Sequence, residues 1–422
     1  MSLSERDKKI IWHPFTQEKH AAPVISVKKA QGCYLYDEQN TAYLDLISSW
    51  WVNIHGHCHP EIAQSIYEQA ITLEHVLFAG FTHEPAITLC EELQSLLPNT
   101  LSKFFFSDNG STAVEVALKM AYQYWHNLGK HNKTKFLSFA GGYHGDTFGA
   151  MAVGASSGFH QQFQDLFFEV MSIPYPDTWE NDTLVARKEQ QALQVLEEYL
   201  TNQHANIAAL ILEPLVQGAS GMRMCRPEFL NAVINLVKEH QILVIFDEVM
   251  TGFGRTGTNF ALEQLAIPPD FLCISKGITG GFLPLALTVT TDTIFSAFLA
   301  DDFKKAFAHG HSYTANPIAC QAAVTSLRLL NSPQCQNNIT KINQVHQQGL
   351  SILSKHAKIS KLRATGTIAA FTVDTNIEQL KQRAMQHGLL IRPLGNTVYL
   401  LPPYCISEQE LLSAYHKILA AV

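Results

Sequence analysis

The sequence predicts an α/β protein in which a large domain with a mostly parallel sheet is joined to a smaller α+β domain. Strand and helix patterns alternate between about residues 100 and 290, which is typical of a parallel sheet covered by helices. The chain has 422 residues, of which 46% are apolar, so it can bury more than one core. We therefore expect an N-terminal arm that forms part of the small domain (1–54), a large domain (55–318) and a C-terminal small domain (319–422).

The elements of the arm and the large domain follow from local residue patterns. Short strands are expected at 32–36 and 43–46, and Pro60 opens a helix, because proline is tolerated in the first helical turn. Aromatic residues at 104–106 favour a strand, and apolar residues recur at helical spacing over 113–128. Short apolar runs predict further strands at 135–139, 208–212, 242–246, 271–274 and 285–289, and helical spacing predicts a helix at 227–239.

The small domain begins beyond a long helix that Asn316-Pro317 opens and that ends near residue 331. After Asn331-Ser332-Pro333 the pattern changes to polar helical segments that alternate with short strands. Helices are predicted at 334–357, 376–387 and 407–421, and strands at 368–373, 389–392 and 397–401.

The composition restricts the class of partner. The net charge is −7, which does not favour nucleic acid or an anionic membrane surface. No apolar run reaches the roughly 18 residues of a membrane helix, and the charged N-terminus lacks the apolar core of a signal peptide. The eight cysteines are scattered without a Cys-x-x-Cys pair, as in a reducing compartment. We expect a cytoplasmic protein with no nucleic-acid or membrane partner.

Two charged residues stand where apolar strands of the large domain end. Asp247 closes the run that begins at Val244, and Lys276 follows the run 271–274. An unpaired buried charge is costly, so two such charges at neighbouring strand ends are expected to share a partner. Pyridoxal 5'-phosphate (PLP) fits, because it bonds covalently to a lysine and pairs its ring nitrogen with a carboxylate. Lys276 and Asp247 are therefore predicted to be catalytic, whereas Glu248 is expected to be structural.

A phosphate site is predicted where a strand passes through Asn109, Gly110 and Ser111 into a helix. Glycine lets the backbone approach an anion, the free N–H groups of the helix N-terminus face it, and the serine can add a hydroxyl. Tyr143, flanked by glycines after the next strand, can stack on a flat ring. An ordinary helix cap and a packing tyrosine are the alternative interpretations.

Arg392 lies at the end of a small-domain strand, in Leu-Ile-Arg-Pro. Its planar guanidinium suits a substrate carboxylate, and a surface ion pair is the alternative. Ser312, in the loop before the helix at 316, is a candidate donor to a phosphate. These positions extend the predicted site beyond the large domain.

Two further motifs are interpreted as structural. Residues 252–257 match G-x-G-x-x-G but do not follow their strand directly, so a dinucleotide site is not favoured. Arg255, inside this run, is instead expected to be a cation near the cofactor ring. The alternating histidines at 55–59 lack a second cluster that would complete a tetrahedral set, so no metal is predicted.

These motifs as a set resemble class III (fold type I) PLP-dependent aminotransferases over essentially the whole chain. The matching stretches are 107–115, 143–145, 213–214, 247–249, 251–257 and 275–277. Within the class, the chain is most similar to the aminotransferases of biotin biosynthesis. The stretches that carry this closer likeness are 11–16, 48–51, 217–222, 391–393 and 399–404.

The resemblance implies roles for matching positions in a homodimer with active sites at the subunit interface. Lys276 carries PLP, Asp247 holds the ring nitrogen, and Tyr143 stacks on the ring. Gly110 and Ser111 bind the phosphate. The phosphate ligands that the partner subunit supplies are His311 and Ser312. The substrate contacts that the resemblance implies are Phe15, Trp50, Trp51, Tyr143, Lys276, Gly310 and Arg392.

The implied reaction transfers the amino group of S-adenosylmethionine to 8-amino-7-oxononanoate and gives 7,8-diaminononanoate. The chain departs from the family pattern at Phe15, where a tyrosine hydroxyl usually helps to recognise the substrates. Without that hydroxyl, lysine or another ω-amino acid is an alternative source of the amino group. Outside the class, the alternatives are a nicotinamide-dependent oxidoreductase that uses 252–257 and a catalytically silent binding protein of the same fold.

Overall fold

The computed structural model describes all 422 residues. The strands are β1 (Val27–Gln31), β2 (Tyr34–Asp37), β3 (Ala42–Asp45), β4 (Leu101–Ser107), β5 (Lys135–Phe139), β6 (Val170–Ile173), β7 (Ile207–Leu212), β8 (Val216–Gln217), β9 (Arg223–Met224), β10 (Leu243–Asp247), β11 (Phe271–Ile274), β12 (Ala286–Thr291), β13 (Ile359–Thr365), β14 (Ile368–Val373), β15 (Leu389–Leu390) and β16 (Thr397–Leu400). The helices are α1 (Leu3–Asp7), α2 (Ser48–Trp51, a single turn), α3 (Pro60–Thr72), α4 (Glu84–Leu96), α5 (Gly110–Asn127), α6 (Phe148–Val153), α7 (Val185–Gln203), α8 (Pro227–Glu239), α9 (Asp292–Ser296), α10 (Pro317–Leu330), α11 (Pro333–Leu353), α12 (Ile377–Gln386) and α13 (Glu408–Ala421).

A seven-stranded sheet forms the centre of the molecule, with the strand order β4-β12-β11-β10-β7-β5-β6. β10 pairs in parallel with β7 and β11, and β5 pairs in parallel with β6 and β7. Only β12 runs antiparallel to its neighbours, β4 and β11. Every residue of β7 and β10 is buried, as expected for strands covered on both faces. The predicted α/β fold with a mostly parallel sheet is confirmed.

Two smaller sheets lie towards the chain ends. β13, β14 and β16 form a three-stranded sheet, whereas β15 joins the N-terminal strands in a four-stranded sheet, β1-β2-β3-β15. Leu389 pairs in parallel with Leu44, so the strand expected at 389–392 adds to the arm and not to the strand at 368–373. The arm and the C-terminal part therefore share a sheet. The division of the chain at residues 54 and 318 stays a prediction.

Most predicted elements lie within a few residues of their expected bounds, but several observed elements were not predicted. The longest of these are the helices α4 and α7 and the strand β13. The buried residues of α7 form one narrow stripe along an otherwise polar helix, and β13 buries only two of its seven residues. Periodicity is a weak signal in such segments, because few apolar positions define the buried face. None of the helices combines the length and the apolar composition that crossing a membrane would require.

The G-x-G-x-x-G run has a packing role in this fold. It opens no α-helix, since the next helical element is a short 3-10 turn at 261–264. A side chain at Gly254 would lie 3.1 Å from the hydroxyl of Tyr404, and one at Gly257 would lie 3.3 Å from Cα of Gly366. These glycines therefore permit close contact with C-terminal segments, which agrees with the rejection of a dinucleotide site.

Arg255 is buried in the same region and does not line the cavity at Lys276. Its guanidinium donates to the carbonyl oxygens of Pro402 at 2.9 Å and Trp51 at 3.3 Å, and its carbon lies 5.0 Å from the Tyr404 ring centroid. Its charge still adds to the effect of burial in lowering the pKa of Lys276, so the expected position near a cofactor ring stays a prediction. Arg255 also joins the segment around Trp51 to the segment around Pro402, because one planar fork serves acceptors on both.

Candidate active site

The carboxyl ends of β4, β5, β7, β10 and β11 border a cavity of about 540 Å³. Residues that follow parallel strands meet at one edge of a sheet, which is where ligands of such folds bind. Lys276 and Asp247 both line this cavity, and so do Gly110, Ser111 and Tyr143. The structure thus brings together five residues that the sequence predicted for one site. We call this space the lysine cavity.

Lys276 follows β11 in a left-handed backbone conformation, with a φ of 48°. Its Nζ lies 4.6 Å from the centroid of the Trp51 ring, within the range of a cation–π contact. Burial lowers the pKa of Lys276, because the ammonium form loses its hydration. The neutral amine, which is the nucleophilic form, is therefore more populated than in an exposed lysine.

Asp247 is the last residue of β10 and is only 4% exposed. Its Oδ2 lies 2.8 Å from Nδ1 of His144, and its Oδ1 accepts a hydrogen bond of 3.1 Å from the backbone N–H of Val249. These contacts fix the orientation of the carboxylate. The role of His144 is not visible in the sequence, because nothing in the local pattern links it to a residue 103 positions away.

The N-terminus of α5 provides an anion site beside Asp247. The backbone N–H groups of Gly110 and Ser111 lie in the first helical turn, where no carbonyl of the helix can accept from them. A Cβ at Gly110 would lie 2.6 Å from a methyl carbon of Val249, so this approach requires glycine. The hydroxyl oxygen of Ser111 accepts from the N–H of Asp146 at 3.0 Å, which leaves its proton free for another acceptor. This arrangement suits a phosphate group.

Tyr143 is held at both its backbone and its hydroxyl. The hydroxyl donates to Oδ2 of Asp146 at 2.8 Å, and the N–H donates to Oε1 of Glu213 at 3.1 Å. Burial and then the contact with Asp146 raise the pKa of Tyr143 above its usual value, so the hydroxyl stays protonated. Burial also raises the pKa of Glu213 to about 7. Glu213 positions the tyrosine backbone, a role that the sequence did not reveal.

A second cavity, of about 760 Å³, lies between the N-terminal arm and the side chains of Trp50 and Arg392. The guanidinium carbon of Arg392 lies 3.7 Å from the Trp50 ring centroid. The Phe15 ring lies 5.7 Å from Trp50 and 6.2 Å from Phe159, which is in turn 6.0 Å from Tyr143. We call this space the arm cavity. A row of aromatic rings therefore connects it with the lysine cavity.

The turn α2 directs its two tryptophans to different cavities. Its four residues have φ values between 44° and 75°, in the left-handed region that residues other than glycine seldom adopt. Asp45 holds the turn, because its Oδ2 accepts from the N–H and the hydroxyl of Ser49 at 2.7 and 2.9 Å. Trp51 then lines the lysine cavity and Trp50 the arm cavity. Strain of this kind is concentrated at functional sites.

Gly310, His311 and Ser312 do not line the lysine cavity of their own chain. Their segment is fixed elsewhere, since Asn316 donates its amide to the carbonyl oxygen of Glu74 at 3.0 Å. Nε2 of His311 is buried without a hydrogen-bond partner. The assignment of these three residues to the site of a partner subunit stays a prediction.

Glu248 has the structural role that the sequence suggested. Its two carboxylate oxygens accept hydrogen bonds of 2.7 Å from the backbone N–H groups of Ala261 and Leu262. Glu248→Gln should lower the free energy of unfolding by about 1–3 kcal/mol, because its amide nitrogen would face one of these donors. Urea unfolding measures the change, with Glu239→Gln, at an exposed position, as the control. Equal unfolding midpoints for the two variants would contradict the prediction.

Comparisons with known proteins agree on one family. The family Aminotransferase class-III matches residues 15–422. An adenosylmethionine-8-amino-7-oxononanoate aminotransferase of Synechococcus elongatus is 49% identical over 416 residues, with 97% of each chain covered. One of Helicobacter pylori with the same name is 40% identical and covers 98% of this chain and 96% of its own.

Solved structures show the same likeness over the full length. A crystal structure of adenosylmethionine-8-amino-7-oxononanoate aminotransferase from Methanocaldococcus jannaschii has a TM-score of 0.92 and 33% identity, covering 99% of this chain and 98% of that one. An amine transaminase from an uncultivated Pseudomonas species, in its PLP-bound form, has a TM-score of 0.90 and 30% identity, with 97% and 98% covered.

Proposed function

This chain belongs to the class-III aminotransferase family, and from that premise we propose that it is the aminotransferase that makes 7,8-diaminononanoate in biotin biosynthesis. It transfers an amino group from S-adenosylmethionine to 8-amino-7-oxononanoate. The observation that carries the proposal is the 49% identity, over 97% of the chain, to a relative named for these two compounds. The reaction takes place in the cytoplasm.

PLP is the cofactor that the lysine cavity fits. The cavity offers a buried amine at Lys276, an oriented carboxylate at Asp247 and an anion site at Gly110 and Ser111, which match the aldehyde, the ring nitrogen and the phosphate of PLP. Tyr143 lies on the same wall and can cover the ring. When bound, PLP withdraws electrons from the carbon that carries the amino group.

Lys276 and Asp247 have different roles in this reaction. Nζ of Lys276, partly neutral because of burial, takes the proton from the substrate carbon that bears the amino group. Asp247 would pair with the ring nitrogen and favour its protonated form, and the contact with His144 holds the carboxylate in place. Trp51, at 4.6 Å from Nζ, limits the access of water to the amine.

The arm cavity receives the keto acid. Arg392 binds the substrate carboxylate, and the apolar chain extends along Trp50, Trp51 and the row of rings that includes Phe15. A homodimer completes the site: the partner subunit's His311 and Ser312 reach the phosphate, and the partner subunit's Gly310 contacts the substrate. The buried Nε2 of His311, which has no partner within its own chain, supports this arrangement.

Arg392→Met should raise KM for 8-amino-7-oxononanoate by about 10- to 150-fold, since a charged hydrogen bond contributes about 1.5–3 kcal/mol. Methionine keeps apolar volume over Trp50, so kcat should change less than KM. Steady-state kinetics with a saturating donor give both constants. Arg328→Met, which removes an exposed arginine bonded to Glu92, is the matched control. An unchanged KM in Arg392→Met would disprove the carboxylate assignment.

The proposed reaction is tested by single turnovers in which the absorbance of the bound cofactor is followed. The enzyme is mixed with each candidate donor, and 8-amino-7-oxononanoate is then added. We expect S-adenosylmethionine to convert the cofactor and the keto acid to convert it back. If no donor leads to amination of the keto acid, the biotin assignment is refuted, although the family assignment stands.

Lysine is the second candidate donor, and Phe15 is the observation that favours it. This ring packs against Trp50 and Phe159. It has no hydroxyl that could form a hydrogen bond with the compound that donates the amino group. Faster conversion of the cofactor by lysine than by S-adenosylmethionine would decide for lysine. Phe15→Tyr should then shift the ratio of the two rates towards S-adenosylmethionine.

A further inference from the structure

Two of the eight cysteines lie side by side outside both cavities. Sγ of Cys33 is 3.3 Å from Sγ of Cys405, although the residues are 372 positions apart in the chain. Cys33 is 4% exposed, whereas Cys405 is exposed to solvent. A disulfide requires a separation of about 2.05 Å, so bond formation requires the two sulfurs to move closer together.

The backbone holds both cysteines in this position. The carbonyl oxygen of Cys33 accepts a hydrogen bond of 2.7 Å from the N–H of Asp45, at the end of β3. Tyr404, which precedes Cys405, donates its N–H to the carbonyl oxygen of Ile54 at 2.7 Å. The pair is therefore a stable feature of the fold, because each cysteine belongs to a segment that is tied to residues 45–54.

The space around the second sulfur depends on a glycine. A Cβ at Gly56 would lie 2.5 Å from Sγ of Cys405, closer than any carbon atom can approach. Gly56 has a φ of 92°, so this position disfavours other residues on backbone grounds as well. The sulfur of Cys405 thus occupies space that a side chain at position 56 would fill.

The two thiols are chemically unequal. The hydrogen bond from Cys33 lowers the pKa of Cys405, and the same bond together with burial raises the pKa of Cys33. Cys405 is therefore the more readily deprotonated member of the pair, and it is also the more exposed residue of the two. A low-pKa, accessible thiolate beside a second thiol is the arrangement found in cysteines that respond to oxidants.

We propose that Cys33 and Cys405 form a reversible disulfide when the protein meets a peroxide. The Cys405 thiolate attacks one oxygen of hydrogen peroxide, the O–O bond breaks, and the leaving hydroxide takes a proton to become water. The sulfur of Cys33 then attacks the sulfenic acid at Cys405, the S–O bond breaks, and a second water leaves. Two thiols lose two electrons in total, and one peroxide is reduced to two waters.

The disulfide joins the β1–β2 hairpin to the segment between β16 and α13. Both segments adjoin the turn α2, since β3 leads into it and Ser48 donates its hydroxyl to the carbonyl oxygen of Leu401 at 2.7 Å. A bond that closes so long a loop restricts the unfolded chain, so the oxidised protein should melt at a higher temperature. Neither cysteine lines the lysine cavity or the arm cavity, so turnover should be unchanged within twofold.

The test uses the full-length protein with its cofactor bound, treated with a small excess of hydrogen peroxide. Intact mass should fall by two hydrogen atoms, peptide mapping should recover one peptide pair that joins Cys33 to Cys405, and dithiothreitol should reverse both changes. Cys33→Ser and Cys405→Ser should each abolish the linked pair and the rise in melting temperature. Cys58→Ser, at another exposed cysteine, should change neither result.

Three outcomes would overturn the proposal. The first is a link between Cys405 and Cys335 in place of Cys33. The second is oxygen added to Cys405 without any linked peptide, and the third is a wild-type protein whose mass and melting temperature do not respond to peroxide. If a serine variant fails to fold, alkylation of the native protein decides: a thiol reagent that has modified Cys405 should block the mass loss.

Discussion

Replacing Lys276 by alanine should lower the rate of amino transfer by about 1,000-fold or more. The variant loses the amine proposed to bond to the cofactor and to move the proton, and general acid–base catalysis alone contributes about 10²–10⁴-fold. Single-turnover rates for each half of the reaction measure the loss. Because the alanine leaves a space beside Trp51, a small primary amine such as methylamine should restore part of the proton-transfer rate.

The control for this variant is Lys355→Ala, which removes an exposed lysine from the surface. It should keep the wild-type rate. The absorbance spectrum gives a second readout, since the band of the covalently bound cofactor should be lost only in Lys276→Ala. Normal turnover in Lys276→Ala would remove the basis of the proposed function.

Asp247→Asn should lower kcat by about 100- to 1,000-fold, the range measured when one preorganised electrostatic group is removed from an active site. The amide has nearly the shape of the carboxylate but carries no charge, so it cannot keep the ring nitrogen protonated. The contact with His144 also changes, because the amide group offers one acceptor where the carboxylate offers two. KM should change much less than kcat, since the proposed site of the substrate carboxylate lies elsewhere, at Arg392.

Loss of cofactor is the alternative cause of an inactive Asp247→Asn variant, so bound PLP is quantified after each purification. Asp301→Asn, at an exposed aspartate, is the matched control and should behave as wild type. A fully loaded Asp247→Asn enzyme with the wild-type kcat would show that this carboxylate does not act on the ring.

The residues of the lysine cavity were predictable because each one follows a strand that is visible in the sequence. Apolar runs mark the strands that lead to Gly110, Tyr143, Asp247 and Lys276, and parallel strands place their carboxyl ends at one edge. Local pattern and one rule of sheet geometry were therefore sufficient. The reaction itself rested on resemblance, and the names of the relatives in Synechococcus elongatus and Helicobacter pylori support it.

Other residues of the site depend on contacts between distant segments. His144 meets Asp247 across 103 positions, and the left-handed turn at Ser48–Trp51 sends neighbouring tryptophans into separate cavities. The contacts of Arg255 were not predictable for the same reason, because its acceptors at Trp51 and Pro402 come from both ends of the chain. The spacing of apolar residues along the chain carries no information about such long-range contacts.

The sequence by itself determined the fold class, the strand ends and the amine and carboxylate that meet there, because hydrophobic periodicity and strand-end chemistry are local properties. Only the tertiary structure decided how the chain termini close over that edge: β15 pairs with β3, Arg392 stacks on Trp50, and Cys33 approaches Cys405. These contacts form between segments more than 300 positions apart, where the packing of the whole chain, and not the preference of any one segment, sets which side chains meet.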